Sequence, residues 1–116
     1  MGYNSLFSNL SGNTNISLGV QSLFSNNVGA CNIAIGFKSA CINTSGNTNV
    51  VIGCEAQTGD FSNSVILGNS ATAGNNNEFV VGSSGTPLGT ITTESCTSSK
   101  TWQIRVNGNL YKLLLA

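Results

Sequence analysis

Histidine is absent from this 116-residue sequence, proline and tryptophan occur once each, and only 7% of the residues are charged. Each shortage excludes something. Without histidine the chain lacks both the side chain that most often moves protons near neutral pH and the commonest zinc ligand. The four acidic residues are one Asp and three Glu, and no thiol has a histidine beside it. No triad, carboxylate pair or metal cluster can be assembled from neighbouring residues, so the expectation is a protein that is not an enzyme, with no catalytic residue, no cofactor and no metal. Four basic residues cancel the four acidic ones, and they are scattered, which leaves no electrostatic footprint for nucleic acid. The longest apolar run, Leu113 to Ala116, is too short for membrane insertion. The cysteines Cys31, Cys41, Cys54 and Cys96 form no CxxC spacing. They read as free thiols, with Cys31 and Cys41 as the intrachain pair if the turns bring two together.

What is plentiful is Gly, Asn, Ser and Thr, so solubility rests on neutral amides and hydroxyls in place of charge. These residues recur in register with apolar ones. A pattern ending in apolar-x-apolar-Gly reads Ile16-Ser-Leu-Gly19, Ile33-Ala-Ile-Gly36, Val50-Val-Ile-Gly53, Val65-Ile-Leu-Gly68 and Phe79-Val-Val-Gly82. The structural glycines Gly2, Gly19, Gly36, Gly53, Gly68 and Gly82 are spaced by 17, 17, 17, 15 and 14 residues. Folding the chain on them aligns further columns. Ser5, Ser22, Ser39, Ala56 and Ala71 stand three residues after a glycine, and Asn9, Asn26, Asn43 and Asp60 seven after. Asn15, Asn32 and Asn49 stand four before the next one.

Glycine and asparagine at this frequency exclude a helical unit, and the apolar residues alternate with period two just before each glycine. Each repeat therefore predicts a short strand, a glycine corner, a second short strand and a polar turn, which together form one coil of an all-β solenoid with coils about 4.8 Å apart. The glycines are expected where φ is positive or where a Cβ would strike a neighbouring coil. The stacked asparagines are expected to form amide ladders. In each strand the flanking apolar pair is expected to face inward. The middle residue then faces outward, and the series Ser17, Ala34, Val51, Ile66, Val80 becomes an apolar stripe. One slim coil buries too little apolar surface to offset the entropy of ordering it, and an exposed stripe invites aggregation. A homotrimer with contacts through Val51, Ile66 and Val80 resolves both problems.

The repeat columns stop at Gly82, which predicts a solenoid region over 1–84. A linker follows over 85–100, containing Gly85-Thr-Pro-Leu-Gly89. The last segment, 101–116, reads as a β-hairpin turning through Asn107-Gly108. It is expected to cap the rod and to bring Trp102, Leu113 and Leu115 into the trimer contacts.

The segments Asn32-Ile-Ala-Ile-Gly36 and Asn63-Ser-Val-Ile-Leu-Gly68 resemble the head repeats of YadA-like trimeric autotransporter adhesins, and the likeness spans about Gly2 to Gly82. It implies a homotrimeric, left-handed parallel β-roll at a cell or virion surface, with adhesion as its task. The first three repeats depart from the family's 14-residue unit by three extra residues in the turn. The tail from Thr101 to Lys112 looks like the closing segment of repeat proteins in phage tail fibres and large-virus virions. The expected function is that of a structural module in a trimeric surface fibre or adhesin, with a host-surface glycan or protein receptor as its possible partner. A carbohydrate-binding head is the alternative, with Trp102, Tyr3, Phe7, Phe24 and Phe37 available either as sugar platforms or as packing groups. An ice-binding array on Asn13-Thr14-Asn15 and Asn47-Thr48-Asn49 is a more distant one. Asn9, Asn15 and Asn43 each open an N-x-S/T sequon.

Overall fold

Three-residue strands leave room for two orientations only: the first and third side chains point one way and the middle one the other. The computed structural model describes residues 1–83 and 85, together with the backbone of 101–106 and 109–114. Five such strands, β1 (Ile16–Leu18), β2 (Ile33–Ile35), β3 (Val50–Ile52), β4 (Val65–Leu67) and β5 (Phe79–Val81), pair in chain order as one parallel sheet. They form a β-solenoid of about four turns. Partners lie 17 residues apart in the first two turns (Ile16↔Ile33, Ile33↔Val50), then 15 (Val50↔Val65) and 14 (Val65↔Phe79). Two further strands, β6 (Thr101–Val106) and β7 (Asn109–Leu114), pair antiparallel from Thr101↔Leu114 to Val106↔Asn109. The expected turn at residues 107–108, the side chains of Trp102 and Leu113, and Leu115 lie outside the described residues.

The direction of the strand side chains reverses the expectation. Ala34, Val51 and Ile66 have no accessible surface, Ser17 keeps 7%, and Val80 packs partly buried against the same cluster. The middle residue of each strand therefore faces the coil interior, and Val51 and Ile66 have no surface to offer a second chain. The flanking pair faces outward. The reason is width: the interior admits one strand side chain per turn, and the opposite wall fills the rest. Along the rod that inner side chain grows from Ser17 through Ala34 to Val51 and Ile66. Opposite it, Leu6 and Leu23 give way to Ala40.

The expected second strand per repeat is also missing among the described residues; only an isolated bridge, Gln57↔Thr72, stands there. Left-handed residues break it. The residue two after each glycine (Asn4, Gln21, Lys38, Glu55, Ser70) has φ between 52° and 56°, and Leu6, Leu23 and Ala40 follow at 49° to 54°. A third corner precedes each strand, at Thr14, Cys31, Thr48, Asn63 and Asn77. Each such non-glycine residue costs about 1 kcal/mol, so neighbouring coils must hold it in place. They do so through backbone bonds such as Lys38 N to Val20 O at 2.9 Å and Thr48 N to Ala30 O at 3.0 Å.

At the main corner only glycine fits. Gly36 has φ +133°, and a Cβ there would run into the Gly53 carbonyl, with the carbonyl carbon 2.7 Å away.

Candidate functional site

The interior carries most of the polar order. Asn26 donates through Nδ2 to Asn9 Oδ1 at 2.8 Å, and Asn43 donates to Asn26 Oδ1 at 2.9 Å. A second ladder runs from Asn49 Nδ2 to Asn32 Oδ1 at 3.1 Å and from Asn32 Nδ2 to Asn15 Oδ1 at 3.3 Å. There each Oδ1 also takes the next coil's backbone N–H, as in Asn49 N to Asn32 Oδ1 at 3.1 Å. Ser64 continues this column where the turn shortens, its N–H bonding Asn49 Oδ1 and its Oγ accepting from Glu78 N. Serines close the remaining gaps, with Ser22 Oγ on Ala34 O at 3.0 Å and Ser39 Oγ on Val51 O at 2.9 Å.

The first ladder does not reach Asp60. With two residues deleted from that turn, Thr58 takes the buried place and Asp60 moves to the surface. Asn43 Oδ1 is left buried without a partner. Asp60 acquires another task. In the preceding turn, Asn27 N and Val28 N both donate to the Thr44 carbonyl. One turn on, Thr44 N and Ser45 N donate instead to Asp60 Oδ1, at 2.6 and 3.0 Å, and the Thr44 hydroxyl joins them at 2.7 Å. A carboxylate oxygen thus stands in for the carbonyl that the shorter loop no longer supplies. The Thr44 hydroxyl is the largest influence holding the Asp60 carboxyl below its usual range, opposed by desolvation and assisted by the two backbone N–H groups.

Three features read from the sequence are spent on structure. The sequon amides of Asn9, Asn15 and Asn43 all donate to glycine carbonyls, those of Gly12, Gly29 and Gly46, so glycosylation would have to break the coil. Asn15 is half-buried and Asn49 buried, which leaves the Asn-Thr-Asn segments without a continuous flat array. Cys31, Cys41 and Cys54 are free thiols, in line with the reading of the sequence, and the conditional Cys31–Cys41 pair is not bonded; Cys96 lies outside the described residues. Among the described residues no group of His, Cys, Asp and Glu could hold a metal ion, and no helix is long and apolar enough to cross a membrane.

The surface is where unspent chemistry lies. The outward face of the parallel sheet carries two columns, Ile16, Ile33, Val50, Val65, Phe79 and Leu18, Ile35, Ile52, Leu67, Val81, all apolar. Ile16 keeps 57% of its surface, Leu18 47% and Phe79 69%. The expectation that the flanking apolar pair faces inward missed this face, because two columns that stay apolar in every strand read as core. A second apolar area covers the loop side of the 17-residue repeats, with Tyr3, Phe7, Leu10, Val28, Phe37 and Ile42 exposed. Compared with protein-family models, curated proteins and solved structures, the chain matches none.

Proposed function

We propose that this chain is a non-enzymatic structural module of a surface fibre or adhesin, a homotrimer of left-handed β-rolls closed by the C-terminal β6–β7 hairpin, which mediates attachment to a host surface. The observation that carries the reading is the outward sheet face. Of its ten apolar side chains in two unbroken columns, Ile16, Leu18, Ile52, Val65, Phe79 and Val81 are exposed in the single chain and the other four are part-buried. Covering a half-exposed aliphatic side chain is worth about 1 kcal/mol, so the six exposed ones offer about 6 kcal/mol per protomer. Patches of this kind mark association surfaces. A ring of three needs a heterologous contact, and the column after the glycine corner (Tyr3, Val20, Phe37) supplies a second apolar surface beside the first. The contact roles once assigned to Val51 and Ile66 pass to Leu18, Ile35 and Ile52. The likeness of Asn32-Ile-Ala-Ile-Gly36 to adhesin head repeats supports the same arrangement and the surface location.

Light scattering on the intact chain tests it. The expected mass is three times 11.9 kDa, and Ile52→Asp shifts it to the protomer without unfolding the coil. Val51→Asp, one residue earlier and inside, unfolds it instead. A folded monomer at micromolar concentration sinks the trimer. Beads bearing the intact chain that fail to attach to any cell layer leave a fibre without an adhesin.

A further inference from the structure

We infer that the loop side of the solenoid holds a binding slot for a negatively charged sugar ring, a pyranose bearing a carboxylate. The column five residues after the glycine corner reads Phe7, Phe24, Cys41. The first two rings stack, with centroids 5.4 Å apart and planes within 4°. The third position carries a thiol where the next ring of the ladder belongs. A groove of about 250 Å³ opens there, lined by Gln21, Phe24 and Ser25 from one turn and Lys38, Cys41 and Ile42 from the next. These are the same three positions of two successive repeats, so the groove is a place in the ladder from which one ring is missing.

Its floor is built. Gln57 Nε2 donates to Lys38 O at 2.8 Å and to Cys41 Sγ at 3.3 Å, and Gln57 Oε1 accepts from Ile42 N at 3.4 Å. One side chain from the following turn thereby fixes half of the lining before any ligand arrives. The rim supplies an amide at Gln21, a hydroxyl at Ser25 and an ammonium at Lys38. Lys38 Nζ lies 5.3 Å from the Phe37 ring centroid, and Lys38 is the single Lys or Arg whose side chain is described. A pyranose matches this set: its apolar face stacks on Phe24, its hydroxyls meet Gln21 and Ser25, and a ring carboxylate meets Lys38. The slot lies beyond the glycine corner from the outward sheet face, so its use does not rest on trimer formation.

Backbone amide shift mapping of the intact chain with D-glucuronate, with D-glucose as its neutral counterpart and with a glutamate-rich peptide tests the assignment. Glucuronate is expected to move amides within 21–25 and 38–42 with millimolar affinity, and glucose to move the same amides more weakly. Lys38→Met should lower the glucuronate affinity to that of glucose. Cys41→Phe fills the slot and should abolish both while holding or raising the melting temperature. If that variant does not fold, Phe24→Leu removes the platform and should weaken both sugars at least tenfold. No localised shift up to about 50 mM glucuronate, unchanged binding in the filled or platform-less variant, or tighter binding of the peptide at the same amides would overturn the assignment. A monomer that binds glucuronate keeps the slot and removes only the trimer.

Discussion

The two 17-residue turns between β1 and β3 and the two shorter turns between β3 and β5 share strand, corner and register, yet they fill their interiors by different means. The long turns enclose Asn26, Asn43, Asn32 and Asn49, fully or almost fully buried, with Leu23 as their one large apolar side chain. The short turns end the Asn26–Asn43 ladder, and Ile66, Ala71, Ala73 and Phe61 pack in the space that remains. Coil length and interior chemistry are therefore one variable. A wider section has polar backbone at its loop that an amide must satisfy from inside, whereas a narrower one needs only the hydroxyl residues Thr58 and Ser64 beside its hydrocarbon. The junction between the two styles is where Asp60 replaces a carbonyl and Asn43 Oδ1 goes unpaired.

The corner glycines are common to both halves, and breaking one should have the largest effect. Gly36→Val puts a β-branched residue at φ +133° and into the Gly53 backbone, and thermal melting should show a loss of about 4 kcal/mol or an unfolded chain. Gly74→Ala, where Glu78 Oε1 at 3.8 Å is the sole neighbour of the new Cβ, should leave the melting temperature unchanged. The interiors come next. Asn26→Ala strips a partner from Asn9, Asn43 and the Gly29 carbonyl together, at about 3 kcal/mol in chemical denaturation. Ile66→Asn, which imports an amide into the short turns, should cost a similar amount or more, because no ladder there receives it. If either interior accepted the other's side chain freely, the two styles would be interchangeable and the comparison would fail.

The junction should give the smallest effect. Because the Asp60 carboxyl is held below its ordinary pKa by Thr44 and Ser45, its contribution is whole above about pH 4, the unfolded value. It is lost as the pH falls through the lower folded value. The residue is exposed, so screening limits the contribution to under about 1 kcal/mol. The stability difference between the chain and Asp60→Asn, followed from pH 6 downward, should therefore shrink toward zero in acid. A difference independent of pH would assign Asp60 no charge-dependent role.

Periodicity alone determined the main lines of this molecule: five strands, their parallel stacking order, the glycine corners and the two asparagine columns are all legible because each recurs at a constant offset from the glycine. A constant offset between repeats is the same statement as adjacency in a stacked coil. What the sequence left open was direction. Period-two alternation states that Val51 and its neighbours Val50 and Ile52 face opposite ways, but says nothing of which way is inward, and turning the unbroken apolar pair inward chose the wrong side. Only the tertiary structure decides that, because the width of the coil is set by the opposite wall, where Leu23 and Ala40 fill what the strand residue does not. The same holds for Asp60 and Thr58, whose roles exchange when two residues leave a turn, and for Lys38 and Thr48, which take left-handed corners that their residue types disfavour. Those conformations are imposed by hydrogen bonds to the neighbouring coils, and a local reading of the chain does not contain them.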